Sequence, residues 1–164
     1  MSEKRPWWRR WFVDPIAKQL TQGITPEKVG WTIAAGVVLG IFPIMGSTTF
    51  ICLIAGWALG LNQPVLQAAC HAMYPLHLAL ILVFIRAGQW IHGADPIPFS
   101  IPQLLSRFNE DPALFFRDFG LAAWHGIVAW GIVAVPLFFI VKGIATPILR
   151  KAATRLRQRK EAAA

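Results

Sequence analysis

Residues 31–61 read WTIAAGVVLGIFPIMGSTTFICLIAGWALGL, a block with no Asp, Glu, Lys or Arg. As one straight helix it would run roughly 46 Å, against a bilayer hydrocarbon core of about 30 Å. It is too long for one span and too short for two. Its centre, Ile41-Phe42-Pro43-Ile44-Met45-Gly46-Ser47-Thr48-Thr49, joins a helix breaker, a permissive glycine and three hydroxyls. This predicts half-length helices over about 31–42 and 47–61, folded as a re-entrant hairpin. Such a turn survives at membrane depth only where protein or water surrounds it. A single kinked crossing is the alternative.

The surroundings extend the pattern. The charge-free stretch runs over residues 29–85, 57 in all, and residues 119–141 form another of 23. Of the 164 residues 55% are hydrophobic and 15% charged, with a mean hydropathy of +0.50. Soluble domains average about 45–50% apolar and about 25% charged. Disorder and an ordinary soluble enzyme are excluded, and the chain reads as a multi-pass membrane protein. The expected fold is all-α integral membrane, one domain over 1–164. It comprises an interfacial amphipathic segment (5–28), the broken hairpin (29–62), a transmembrane helix (64–91) containing Pro75, an outside loop (92–118), a second transmembrane helix (119–141) and a basic cytoplasmic tail (142–164), helical over about 147–160. Within the loop, 101–108 and 111–119 are expected as short surface helices. Thr25-Pro26-Glu27-Lys28 reads as a capped helix start, and Asn62-Gln63-Pro64 as a turn leading into the next helix.

Charge sets the expected orientation. Residues 1–28 carry +3, residues 142–164 carry +6 and residues 86–118 carry −1. By the positive-inside rule both termini are cytoplasmic, which favours the hairpin, because a single crossing at 31–61 would leave the +6 tail outside. Residues 5–20 mix Trp7, Trp8, Trp11 and Phe12 with Arg5, Arg9, Arg10 and Lys18, a composition suited to the headgroup layer. They lack the apolar core of a cleaved signal peptide, so the first membrane segment is expected to be its own uncleaved signal. The basic tail reads as a topology signal and anionic-lipid contact before nucleic-acid binding. Cys52 and Cys70, both in the apolar block, read as buried small residues before a disulfide.

No nucleophile elbow, phosphate-binding glycine loop or metal-ligand spacing occurs, so no catalytic residue, metal or cofactor is expected and the chain is read as a non-enzyme. The candidate ligand-binding residues are Pro43, Gly46, Ser47, Thr48, Thr49 and Arg86. A half-helix starting near Gly46 aims its free N–H groups and positive dipole end inward, the hydroxyls add donors, and a guanidinium pairs with phosphate. Snorkelling to headgroups is the competing role for Arg86. A polar stripe, Gln63, Gln67, His71 and Tyr74, continues past Pro75 through Leu78, Leu82 and Arg86 to Gln89. It either lines a watery path or ties helices together. His125, inside the last span, reads as a helix-packing hydrogen bonder. Gly36, Gly40, Gly56 and Gly60, spaced by fours, suit close helix packing, with a dimer seam second.

The order Gly36-x-x-x-Gly40-x-x-Pro43-x-x-Gly46, a hydroxyl run, then Gly60-Leu61-Asn62-Gln63-Pro64 resembles the DUF2062 family of bacterial membrane proteins, over about residues 15–145. Thr48 and Tyr74-Pro75 stand where members typically carry Gln and Asn-Pro. The family's function is uncharacterised. Its occurrence alone or fused to glycosyltransferases implies an inner-membrane role in envelope biogenesis. The expected function is binding or translocating an anionic, phosphate-bearing lipid such as a polyprenyl-phosphate carrier, by a homo-oligomer without nucleic acid. The alternative is a non-transporting scaffold or regulator of a glycosyltransferase system.

Overall fold

The computed structural model describes residues 24–95, 106 and 108–161. Most of the expected interfacial segment, and most of the expected surface helix at 101–108, lie outside the described residues. The main helices are α1 (Pro26–Gly40), α2 (Thr48–Ala58), α3 (Gln63–Ala72), α4 (Tyr74–Ile91) and α5 (Pro112–Glu161).

α1 starts where its sequence says. The Thr25 hydroxyl accepts from Lys28 N at 3.3 Å, Pro26 opens the first turn and Glu27 follows it. The buried face of α1 is mostly small, including Gly30, Ala34, Ala35, Gly36 and Gly40, so neighbours approach closely. The chain leaves α1 at Ile41 and turns through Pro43 and Gly46, whose φ of +82° only glycine adopts without strain. α2 then runs back antiparallel to α1. It ends in a Schellman turn: Gly60 sits at φ +57°, Leu61 N donates to Gly56 O and Gly60 N to Trp57 O. Leu59 and Leu61 thus come back beside Trp31, and residues 26–58 form the antiparallel hairpin that Pro43 and Gly46 predict.

α3 begins with Asn62 Oδ1 accepting from Val65 N at 3.2 Å. It rises parallel to α1, with Leu66 and Cys70 against Ala35 and Cys52. The expected single segment 64–91 is instead two helices joined at Met73, which ends α3 and caps α4. Pro75 is the cause: it has no N–H to bond and its ring would clash with the residue 71 carbonyl in a continuous helix. α4 ends in a second Schellman turn at Gly93, φ +61°, with Ala94 N donating to Gln89 O.

α5 differs most from expectation. The surface helix at 111–119, the span at 119–141 and the tail helix at 147–160 are one helix of 50 residues, about 75 Å long. Pro136 and Pro147 lie inside it. Each costs one backbone bond, whereas a break would free a whole turn of N–H and C=O groups on an apolar surface. The charges that mark segment ends in the sequence, Asp118 and Lys142, do not interrupt a helix.

α5 packs against α1 at one end and α4 at the other, antiparallel to both. Val29, Val65 and Leu149 fill one end of the bundle, and Ile41, Phe84 and Ala129 the other. Outward faces are apolar as well: Phe50, Ile54 and Trp57 of α2 and Val135, Ile140 and Ile144 of α5 are all exposed.

Candidate functional site

The two proline breaks lie side by side. Gly40, the last residue of α1, faces Cys70 and Met73 so closely that a Cβ there would stand 2.8 Å from Cys70 O. His77, 1% exposed, places Nδ1 3.0 Å from Gly40 O. That carbonyl is freed by the end of α1 and accepts the ring N–H when the proton is on Nδ1. His77 therefore clamps the break at Pro43 to the break at Pro75. Trp130 ties α5 to the end of α1 nearby, donating its indole N–H to Val38 O at 3.0 Å.

Next to this junction lies the start of α2. Ser47 turns its hydroxyl back to Ile44 O at 2.9 Å, and α2 has no side-chain cap. Pro43 is buried, Gly46 and Thr49 are exposed, and Thr48 is half-buried. Added bulk at Gly46 would meet nothing within 4 Å, so the turn is open. Met45 and Phe50 flank it with exposed apolar surface. Arg86 follows Ile85, which stands with Pro43 against Gly126. It is exposed on α4, which packs chiefly on α5, while α2 packs on α3 and α1.

The polar stripe is not one face. Gln63 Nε2 donates to Leu53 O at 2.8 Å and Gln67 Nε2 to Thr49 O at 3.3 Å, a glutamine ladder fastening α3 to the backbone of α2. Gly56 permits it, since any Cβ there would collide with the Gln63 amide. His71 Nδ1 lies 2.7 Å from Gln67 O in its own helix. Beyond the break at Met73 the register changes. Tyr74, Leu78, Leu82 and Arg86 face outward, and Gln89 is buried against the bundle. The side-chain oxygens of Gln63, Gln67 and Gln89 are buried without a partner among the described residues. Cys52 and Cys70 are free, buried neighbours.

Gly36, Gly40 and Gly56 serve helix packing as their spacing suggests; Gly60 instead makes the turn. His125 stacks on His92 at 4.5 Å between centroids, as a packing residue of the α4–α5 contact. No group of three His, Cys, Asp or Glu among the described residues is placed to hold a metal ion.

At the opposite end of the bundle from the breaks is a cavity of about 440 Å³, lined by Trp31, Ala35, Leu59, Leu61 and Phe138, with Thr25, Glu27 and Lys28 at one end. Lys142 Nζ sits 4.1 Å over the Trp31 ring, a cation–π contact. Glu27 is paired with Arg150 through Nε at 2.8 Å and through Nη2. Its carboxyl is held below the ordinary range by a backbone N–H of the first turn and then by Arg150. Sequence reasoning missed both His77 and this cavity; each joins residues far apart in the chain, and no local pattern marks either.

The class defined by this geometry is an all-helical protein in which two helices, α4 and α5, are long and apolar enough to cross a membrane. The chain belongs to the DUF2062 family, described as an uncharacterized protein conserved in bacteria, with the match running over residues 9–158. No curated protein and no solved structure matches it.

Proposed function

We propose that this is a bacterial inner-membrane protein that binds or translocates an anionic, phosphate-bearing lipid, without catalysing a reaction. The observation that carries the reading is the pair of adjoining helix breaks, pinned by His77, in a bundle whose outer faces are apolar. Irregular backbone flanked by apolar surface is tolerated in lipid where it is enclosed by protein or lines a polar site, and broken helices of this kind build the ligand sites of many transporters. Membrane insertion is supported by the bare faces of α5: only 11% of its most apolar window is buried within the bundle. The α1–α2 hairpin then enters and leaves on one side, with α3–α4 crossing and α5 returning. The Glu27–Arg150 pair puts the start of α1 and the basic stretch of α5 at one end, which the positive-inside rule makes cytoplasmic. The lipid headgroup would meet the uncapped N–H groups of α2 with Gly46, Ser47, Thr48 and Thr49, and Arg86 would steer it from the side. Few helices enclose a path in one copy, so a homo-oligomer is the working unit.

The second reading, a scaffold for a glycosyltransferase or other envelope enzyme, draws on the internal bonds that engage Gln63, Gln67, Ser47 and His77. Mass spectrometry of lipids co-purifying with the wild type, the triple variant S47A/T48V/T49V and Arg86→Gln separates them. Transport chemistry predicts a phosphate-bearing lipid enriched over bulk membrane and lost in the variants. Equal bulk lipid in all three favours the scaffold.

A further inference from the structure

We infer that the cavity beside Trp31 is a second lipid site, holding one acyl chain of an anionic glycerophospholipid with its phosphate between Lys28 and Lys142. The ligand class rests on the proposed function; the location does not. Three observations support it. The volume, about 440 Å³, falls within the ~300–1,000 Å³ of small-ligand sites. The walls are graded: Thr25, Glu27 and Lys28 stand at one end, and Trp31, Ala35, Leu61 and Phe138 continue the lining as pure hydrocarbon and ring surface, the polarity profile of an amphiphile. Charge at the polar end is complementary to an anion. Glu27 is already paired with Arg150, which leaves the ammonium groups of Lys28 and Lys142 in excess. Lys142 is held over the ring of Trp31, a residue of the cavity wall, and the cation–π contact keeps its ammonium beside that wall. The tail would lie along Trp31 and Phe138, whose rings are 5.1 Å apart.

The test is native mass spectrometry of the full chain in detergent, titrated with dioleoyl phosphatidylglycerol and, separately, dioleoyl phosphatidylcholine. The wild type should prefer phosphatidylglycerol by about tenfold, the equivalent of one charge-assisted hydrogen bond. K28Q/K142Q should lose that preference while still binding both lipids. Leu61→Trp, which fills the cavity, should weaken both; if it does not fold, Leu59→Trp on the same wall replaces it. T48V/T49V, altered at the hairpin turn, should keep the preference. Equal binding of both lipids by the wild type overturns the proposal, as does a preference that survives K28Q/K142Q. Preference lost in T48V/T49V but kept in K28Q/K142Q also overturns it, while leaving the hairpin turn as a headgroup site. A lipid-free dimer abolished by Leu61→Trp would assign the cavity to a second copy and reject the lipid.

Discussion

Gly88→Ala tests how tightly α4 and α5 are joined. At Gly88 a Cβ would run into the carbonyl group of His125, with His125 Cα only 3.0 Å away. The obstacle is backbone well inside a 50-residue helix, so no side chain can rotate aside. Relief requires the two axes to separate until carbon contacts return to their optimum of about 3.5–4.0 Å. That movement would pull Ile85 from Gly126, where a Cβ would now stand 3.2 Å from Ile85 Cγ1, and part the His92–His125 stack. Overpacking of this sort costs about 1–3 kcal/mol, and alanine's better helix propensity returns up to ~1 kcal/mol. With rigid backbone as the obstacle the cost falls at the top of that range, so the net loss should be about 2 kcal/mol, or a melting temperature lower by roughly 4–8 °C for a chain of this size. Thermal unfolding in detergent followed by circular dichroism reads it directly, with Gly120→Ala as the control, since nothing lies within 4 Å of a Cβ there. A Gly88→Ala protein that melts with the wild type, or no lower than Gly120→Ala, would refute the close contact.

Further outcomes follow from other sites. Gly46→Ala, at φ +82° with open space around it, should lose about 1–2 kcal/mol from backbone strain alone; a melting point at or above the wild type's would mean the turn is not left-handed. Cys52 and Cys70 are 0% and 4% exposed, so a maleimide should label neither in the folded protein and both after denaturation, as read by intact mass. Glu27 has a lowered pKa when folded, so its contribution is fully present above the unfolded value of about 4.3. It is lost as pH falls through the lower folded value. Melting temperature should therefore drop over that window more steeply in the wild type than in Glu27→Gln, and parallel curves would count against the Arg150 pairing. His77→Leu leaves Gly40 O buried without its donor, a cost of about 1–3 kcal/mol. A melting temperature unchanged in His77→Leu would remove the clamp from the account of the two breaks.

What the sequence made legible was local. Thr25-Pro26, Pro43 with Gly46, and Asn62 ahead of Gln63-Pro64 each act on the next turn of backbone, and each cap or break lies where its chemistry demands. Pro75 was visible as an interruption, but its effect on register was not. The stripe from Gln63 continued on paper into Leu78 and Arg86, whereas the break at Met73 turns that face outward. The joining of 111–119, 119–141 and 147–160 was hidden because charge marks changes of surroundings, not of backbone. For the candidate site, Pro43, Gly46 and the hydroxyls mark the turn in the sequence, whereas nothing local marks the packing of α4 on α5. That packing is made by Gly88 against His125 and Ile85 against Gly126, across some forty residues of chain.

The unbroken α5 also fixes angular phase. Each residue of an α-helix advances the next by about 100°, so every position in α5 is tied in rotation as well as in height to every other. Thr146 opposite Gly30, Trp130 at Val38 O and His125 against Gly88 are three teeth on one shaft. Inserting a single residue between Trp130 and Thr146 would leave one end of the shaft engaged and swing the other by more than a quarter turn. Length changes there are mechanically equivalent to mis-keying the axle: a step near whole turns, such as seven residues, would restore the phase but still slide one end by about 10.5 Å, past its partners.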